Sequence, residues 1–322
     1  MMSRAVKIWL IVAAALIVAG GLIFAAVMSA LGWDFTALST TAFVRNEHIL
    51  TEDFDSISID VDTADIDFVL SEDGRCRVEC FEREDTVHSV SVKDGVLVIA
   101  LDGELEWYEN IGINFKEQKI RVYLPRAEYS SLKVKTSTAD ITVPRGFDFG
   151  EVDISVTTGD IEYGASSAGR VKIYTTTGDI EISRAEVGSL ELSTTTGEID
   201  LSDVTSAGNV NLSVTTGDIE AERVTCRDLI SSGSTGDIEL SGVIAQGKMT
   251  LDRSTGDVKL SRCDASEIFI KTDTGDVFGS LLSEKVFVAH TDTGRCEIPS
   301  TGSGGRCEIN TDTGDIRITL AG

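Results

Sequence analysis

The segment Leu190-Glu-Leu-Ser-Thr-Thr-Thr-Gly-Glu-Ile-Asp-Leu201 contains the pattern that decides the fold. It recurs 19 residues earlier as Val171-Lys-Ile-Tyr-Thr-Thr-Thr-Gly-Asp-Ile-Glu-Ile182. Apolar and polar residues alternate on both sides of a Thr-Gly pair, and this period of two is typical of strands with one buried face. Each copy therefore predicts two short strands joined by a corner at glycine.

The corner recurs at a constant interval over most of the chain. Ala139 is followed at intervals of 19 or 20 residues by Gly159, Gly178, Gly197, Gly217, Gly236, Gly256, Gly275, Gly294 and Gly314. Such a period is the signature of a solenoid, because each coil buries its apolar face only against its neighbours. We expect an all-β, single-stranded parallel β-helix, or β-solenoid, of about ten to eleven coils. Parallel crossovers favour a right-handed coil.

One further coil stands upstream, where Ile57, Ile59 and Ile66 fall into the same columns around Ala64. Asp94-Gly95 lies between two alternating runs and predicts a tight hairpin. We therefore predict a β cap with the first coil over residues 50–130 and the solenoid repeats over residues 131–322. A cap of this kind would protect the strand edges of the first coil.

The N-terminus predicts a membrane anchor. Residues 8–31 are apolar or small except for Ser29, and about 20 such residues cross a bilayer. The run exceeds the core of a cleavable signal peptide, so we expect an uncleaved helix. Arg4 and Lys7 precede it and predict a cytoplasmic N-terminus over residues 1–7. Residues 32–49 would form a linker, with the C-terminal domain extracytoplasmic at the cell surface.

Composition limits the partners and the redox chemistry. The chain has 53 Asp and Glu against 28 Lys and Arg, a formal net charge of −25, which argues against nucleic acid as a partner.

Cys76 and Cys80 lie four apart on a predicted strand, about 13 Å from each other and too far to bridge. We expect buried free thiols, with Cys296 and Cys307 as the one pair to check for a disulfide.

An acidic column follows the corner glycine, and it could bind metal or simply accept hydrogen bonds. Its members are Asp140, Asp160, Asp179, Glu198, Asp218, Asp237, Asp257, Asp276, Arg295 and Asp315. We expect the carboxylates to accept bonds from nearby corner amides. Asp273, Asp292 and Asp312 form a second column near the C-terminus, the best calcium candidate. We nevertheless predict no calcium requirement, with Arg295 lying between Asp276 and Asp315 and neutralising them.

Two further segments carry a resemblance to a known family. Arg121-Val-Tyr-Leu-Pro125 leads into Leu132-Lys-Val-Lys-Thr-Ser-Thr-Ala-Asp-Ile141, which serial Thr-Thr-Gly-Asp-Ile coils follow. With the anchor, this order resembles the bacterial "putative adhesin" family, a domain of unknown function, over about residues 50–320. The resemblance implies a β-helical surface or periplasmic protein. Some relatives in Gram-positive bacteria lie beside cell-envelope stress genes.

The residues favour binding over catalysis. Coil length varies by one residue, which leaves no room for the long loops of solenoid enzymes, and His48, His88 and His290 lie far apart without a metal-binding spacing. We predict no catalytic residue, no cofactor and no metal. Trp107 and Tyr108 are the candidate ligand contacts; the alternative is that they pack over the open end of the solenoid.

Two main functions remain open at this stage. One is a surface binding or adhesin-like module for a cell-wall glycan. The other is an envelope-stress accessory protein that acts through a membrane or envelope protein. A polysaccharide-active enzyme is the third alternative, since parallel β-helices often carry such sites.

Overall fold

The structure is a computed structural model that describes residues 4–33, 42–101 and 118–321. Within these residues the chain forms one helix, α1 (Arg4–Ala30), followed by strands alone. The helix is apolar, exposed, and long enough over Trp9–Ala30 to cross a membrane. The predicted apolar span of 8–31 is therefore confirmed as a helix.

The strands divide into a cap and a repetitive body. Those of the cap are β1 (Phe43–Leu50), β2 (Ser56–Asp60), β3 (Asp65–Leu70), β4 (Cys76–Arg83), β5 (His88–Lys93), β6 (Val96–Leu101) and β7 (Lys119–Leu124). Those of the body are β8 (Glu128–Thr138), β9 (Ile141–Val143), β10 (Asp148–Thr158), β11 (Ile161–Tyr163), β12 (Ser167–Thr177), β13 (Ile180–Ser183), β14 (Glu186–Thr196), β15 (Ile199–Ser202), β16 (Thr205–Ser206), β17 (Val210–Thr216), β18 (Ile219–Glu222), β19 (Thr225–Cys226), β20 (Leu229–Thr235), β21 (Ile238–Ser241), β22 (Ile244–Thr255), β23 (Val258–Thr274), β24 (Val277–Leu281), β25 (Lys285–Thr293), β26 (Cys296–Glu297), β27 (Gly305–Thr313) and β28 (Ile316–Leu320).

Equivalent strands stack in parallel to form two walls. Strands that precede the corner glycine make the first wall, in which Val171 pairs with both Val152 and Leu190. Strands that follow the glycine make the second wall, in which Ile180 pairs with both Ile161 and Ile199. Like residues therefore lie on like residues, and the buried apolar columns of both walls form one continuous core. The predicted parallel β-solenoid is confirmed.

The uniform body of the rod runs from β8–β9 to β27–β28 and holds about nine turns. The sequence predicted ten to eleven coils because it also counted the turns at the two ends, β2–β3 and β25–β26. β6–β7 forms another parallel level that the sequence did not predict, because β6 pairs with β2 and β7 pairs with β3.

The corner needs glycine for a reason of close approach. Gly217 has a φ of 134°, in the region that residues with a Cβ rarely adopt. A Cβ placed on Gly217 would lie 2.0 Å from the carbonyl oxygen of Gly197 one level away. Every corner glycine of the body shows the same approach, so the glycine column sets how closely the coils stack.

Side chains take over the hydrogen bonding at the corner. The amide of Asp160 donates to Oδ1 of Asp140 at 2.9 Å, and the amide of Asp179 donates to Asp160 in the same way. The expectation that the acidic column accepts corner amides is therefore confirmed. Each carboxylate satisfies a backbone donor that the turn of the chain removes from the β-ladder.

Threonine hydroxyls also contribute hydrogen bonds at the corner. The threonine directly before each glycine, such as Thr196, is exposed. The hydroxyls that bond the corner belong to buried threonines two residues earlier: Thr194 donates to Gly178 O at 3.1 Å and Thr272 donates to Gly256 O at 3.2 Å. The inward column has access to the carbonyl groups of the neighbouring corner, whereas the column next to glycine faces solvent.

The cap adds antiparallel strands to both walls. β4 pairs antiparallel with β7, and β1 pairs antiparallel with β4. β5 and β6 form the predicted hairpin, with Asp94 and Gly95 both at positive φ as a type I′ turn requires. β1 occupies residues 43–50, which the sequence assigned mostly to a linker over 32–49. Its alternating residues pack on β4, a partner that no repeat period reveals.

The stacking order departs from the sequence order at the far end. β27–β28 lies directly on β23–β24, and β25–β26 is the outermost turn. The prediction that Arg295 lies between Asp276 and Asp315 is therefore wrong: the Asp315 amide donates to Asp276, and the Arg295 amide donates to Asp315.

Side-chain chemistry explains this order. The interposed turn offers Ile309 and Ile316, both fully buried, where the outer turn has Ala289 and Cys296. More apolar area leaves water when the isoleucines are covered on both sides. The side chain of Arg295 also cannot accept a hydrogen bond from a backbone amide. It therefore fits at the end of the carboxylate column, where no further amide follows, and not inside the column.

The repeat also continues through Ser231 and Gly233, two inward positions that carry no apolar side chain. Arg253 is buried at 1% exposure and donates from Nη1 to Val214 O at 2.9 Å. Its guanidinium occupies the space that a side chain at Gly233 would need, since a Cβ there would lie 1.6 Å from Nη1. Burial lowers the pKa of Arg253, although Asp218 and Asp237 oppose this change. The strands remain in register on both sides.

All six cysteines are free thiols, and five of them are buried. Cys296 is exposed because it lies on the outermost turn. Cys307 is on the first wall and Cys296 on the second, so the one pair considered from the sequence is not bridged.

We expect Gly217→Ala to lower the free energy of unfolding by on the order of 1–3 kcal/mol, through backbone strain and the clash with Gly197 O. Thermal melts followed by circular dichroism measure the change. Gly302→Ala is the matched control, since a Cβ at Gly302 meets nothing within 4 Å. Equal melting temperatures for the two variants would contradict the role of the corner.

The order of the last turns can be tested by cross-linking. Lys271 pairs in register with Asn310, whereas His290 lies one level further out. In a Cys296→Ser background we expect Lys271→Cys with Asn310→Cys to form a disulfide, because their separation is about 4.8 Å. Lys271→Cys with His290→Cys should not, at about twice that distance. Non-reducing peptide mapping distinguishes the two, and the opposite result would restore the sequence order.

Candidate binding surface

The two ligand contacts predicted from the sequence cannot be placed. Trp107 and Tyr108 fall in residues 102–117, outside the described residues. The chain on either side is described: β6 ends at Leu101 and β7 begins at Lys119. This segment therefore connects the two strands of the extra level at the cap end of the rod.

The outer face of the cap carries a mixed surface of aromatic, apolar and charged side chains. β1, β4, β7 and β3 lie side by side in the second wall. Their registers align outward-facing residues in three rows across the four strands. The rows are Arg45–Phe81–Lys119–Asp65, Glu47–Glu79–Arg121–Asp67 and Ile49–Arg77–Tyr123–Val69.

Charge pairs hold this surface in place. The guanidinium of Arg77 lies 4.0 Å from the centre of the Tyr123 ring and 3.4 Å from Glu47. Arg45 pairs with Glu79 at 2.8 Å. A cation over an aromatic face is attracted by the ring quadrupole, and a carboxylate on its other side fixes its orientation. The polar groups are thus preorganised on a rigid sheet.

Two depressions open on the outer face. The larger has a volume of about 510 Å³ and is lined by Glu47, Ile49, Val69, Leu70, Ser71, Glu72, Asp73, Arg75, Arg77 and Tyr123. The smaller has a volume of about 220 Å³ and is lined by Arg45, Glu79, Phe81, Lys119 and Arg121. We call the two together the cap groove. Ile49 remains 61% exposed beside it, an apolar surface that a ligand could cover.

The titration behaviour of the cap groove suits binding. Asp73 has a pKa below its usual range because the Ser71 hydroxyl and then the Arg75 amide donate to it. A carboxyl shifted in this direction is a weak base, whereas a general base or acid needs a pKa close to the working pH.

Beyond the cap, the same outer face becomes acidic. Glu162, Glu181, Asp200, Glu220 and Glu239 stack on successive levels of the second wall. Burial raises the pKa of Asp200 to about 6, and the carboxylates of Glu220, Glu198, Glu181 and Asp179 add to the effect. The outer face therefore changes from mixed charge at the cap to acidic along these levels of the body.

The second acidic column near the C-terminus contacts a lysine and a histidine. Asp273 lies 3.5 Å from Lys271, and Asp292 lies 2.8 Å from Nε2 of His290. All four groups are on the exposed surface of the rod. The absence of a calcium requirement stays a prediction.

The fold and its exposed faces define the class of protein: a β-solenoid that presents a regular surface. The chain belongs to the Toastrack DUF4097 family, a domain of unknown function, whose model matches residues 54–228 and 207–322. This confirms the family resemblance drawn from the repeats.

The chain is similar at low identity to several solved structures. A "putative adhesin" from Parabacteroides distasonis ATCC 8503 is 13% identical, covers 86% of this chain and 98% of its own, and has a TM-score of 0.47. A "putative lipid binding protein" from the same organism is 17% identical, with 75% and 95% covered and a TM-score of 0.48. A "putative adhesin" from Bacteroides fragilis NCTC 9343 is 17% identical, with 86% and 97% covered and a TM-score of 0.31. No curated protein matches the chain.

We expect Asp200→Asn to raise the melting temperature at pH 7–8. The folded pKa of about 6 lies above the ordinary value of 3.8, so ionisation of Asp200 destabilises the fold as the pH rises through this interval. The gain should vanish below about pH 4, where the carboxyl is protonated in both states.

Asp153→Asn is the matched control, because Asp153 lies on the opposite wall between Lys133 and Lys172. Thermal melts between pH 3.5 and 8 should show no gain for this variant. An Asp200→Asn gain that does not change with pH would contradict the assignment.

Proposed function

We propose that the protein is a membrane-anchored, extracytoplasmic binding module whose cap groove takes up a cell-wall glycan. The observation that carries the proposal is the cap groove itself, where an aromatic ring, exposed apolar side chains and fixed charge pairs alternate on one rigid sheet. Sugar rings pack their C–H faces on aromatic side chains, and their hydroxyls bond to carboxylates and guanidinium groups. No reaction is assigned to the groove.

The anchor places the groove near the membrane in this proposal. Nine residues, 34–42, lie between Trp33, after the helix, and Phe43, where β1 begins, so ten Cα–Cα steps join the two. A chain of that length spans at most about 35 Å. The cap would therefore face the membrane-proximal part of the envelope, while the stacked body extends away from it. The net charge of −25 keeps the body from adsorbing to anionic surfaces.

The proposed orientation can be tested at a natural reporter. Cys296 is the exposed cysteine of the described chain and lies on the turn farthest from the cap. A membrane-impermeant maleimide added to intact, wall-stripped cells should label the protein at this residue. Cys296→Ser should abolish the labelling. Labelling only after the cells are lysed would place the solenoid in the cytoplasm.

We expect Tyr123→Ala to weaken binding of the full-length protein to purified cell-wall glycan by about tenfold, which corresponds to about 1.4 kcal/mol. Sedimentation with insoluble glycan measures the bound fraction, with the protein in detergent micelles. Tyr174→Ala is the control: Tyr174 is 40% exposed but lies on the first wall, away from the cap groove.

Equal binding by the two variants would remove the groove from the proposal. If the wild type bound no glycan but co-purified with membrane proteins in a manner that depends on α1, the envelope-stress accessory role would replace the binding module.

A further inference from the structure

Three potential metal ligands meet inside the cap. Cys80 and Glu82 lie on β4, and His88 begins β5. Their ligand atoms, the Cys80 thiol, a Glu82 oxygen and a His88 ring nitrogen, all lie within 4.8 Å of one another. All three residues are buried, with Glu82 and Cys80 at 0% exposure and His88 at 5%. The group lies inside the cap, separate from the cap groove on its outer face.

The contacts within the group fix the carboxylate at its centre. Glu82 Oε2 lies 2.6 Å from Nδ1 of His88 and accepts the His88 amide at 2.8 Å. Its other oxygen, Oε1, accepts a hydrogen bond from Nδ2 of Asn46 at 2.5 Å. Three contacts, from the His88 ring, the His88 amide and the Asn46 side chain, therefore fix the buried carboxylate in place.

A hydrophobic end cap does not require this group. Elsewhere in the solenoid the inward positions are filled by valine, leucine and isoleucine, and replacing a buried ion pair by apolar residues is often neutral or stabilising.

A second histidine supplies an independent observation. Nε2 of His48 is buried and has no hydrogen-bond partner among the described residues. In the antiparallel register of β1 and β4, Asn46 lies opposite Cys80 and His48 lies opposite Val78. Opposite residues share a face of the sheet, so His48 is on the face that carries Cys80 and Glu82. A buried imidazole nitrogen without a partner is costly, and metal coordination would satisfy it.

We propose that Cys80, Glu82 and His88 bind one zinc ion at the cap end, and that His48, which lies outside the 4.8 Å group, turns toward the ion from β1 as the fourth ligand. The ion would then tie β1, β4 and β5 together. Thiolate, imidazole and carboxylate together are a donor set that zinc prefers, and four ligands complete its tetrahedral shell. On binding, the Cys80 thiol releases its proton to solvent. The ion also replaces the proton shared by Glu82 and His88 Nδ1; that proton leaves to solvent or moves to Nε2, so that His88 coordinates as a neutral imidazole. Closed coordination by four side chains is typical of structural sites, so the ion would stabilise the cap.

The test uses the full-length chain in detergent micelles with Cys296→Ser, which removes the exposed thiol. After treatment with a chelator and dialysis, cobalt(II) is titrated as a spectroscopic probe, and zinc affinity is measured by competition with a chromophoric chelator. We expect one equivalent of cobalt, a thiolate-to-cobalt charge-transfer band, tetrahedral d–d bands, and displacement of the cobalt by zinc. A folded chain without a thiolate band would overturn the proposal.

Matched variants then locate the site. Cys80→Ser should lose the charge-transfer band, whereas Cys226→Ser, which removes a buried thiol of the body, should keep it. A band that survives Cys80→Ser would overturn the proposal. If Cys80→Ser does not fold, two histidine variants test the site instead. His48→Gln should lower the zinc affinity at least tenfold, whereas His290→Gln, which changes an exposed histidine at the far end, should leave it unchanged. Equal weakening or none would overturn the proposed ligand set.

Discussion

The structure depends on one constraint, the contact between successive corners. Each corner glycine packs its Cα against the carbonyl oxygen of the corner beside it, at a distance that leaves no room for a Cβ. The next residue supplies a carboxylate that accepts the amide of its counterpart one level on. Glycine thus provides the close approach and aspartate provides the hydrogen bond. Because both must recur in register, the coil length is held to 19 or 20 residues.

Because the corners fix the coil length, variation is confined to the ends and to the outward-facing positions. The cap end is completed by antiparallel strands, which the parallel repeat cannot supply by itself. At the far end, the last two turns stack in the reverse of their sequence order. This order buries the more apolar turn and leaves Arg295 at the last position of the carboxylate column. The outer faces carry different charges along the rod, and the cap groove lies where cations and aromatic rings coincide.

The interior tolerates polar groups only where a neighbour makes room for them. Arg253 lies along the axis of the rod because Gly233 has no side chain to exclude it. Glu82 and His88 form their pair beneath β1, where Asn46 provides a further donor. In both places one residue departs from the local pattern and another, distant in sequence, compensates. Such pairs cannot be recognised from either residue alone.

The sequence by itself determined the solenoid, its period, the inward and outward columns, the hairpin at Asp94-Gly95 and the apolar helix. These features rest on local alternation and on spacing along the chain, which are visible in one dimension. Only the tertiary structure decided the stacking order of the end turns, since a chain that steps over one level keeps the same spacing between glycines. The cap groove and the Cys80, Glu82 and His88 group were equally hidden. The cap groove combines residues of strands whose antiparallel partners lie 26 to 46 positions apart in sequence, and Glu82 of β4 meets His88 of β5 inside the cap. Both arrangements depend on three-dimensional packing rather than on a repeat.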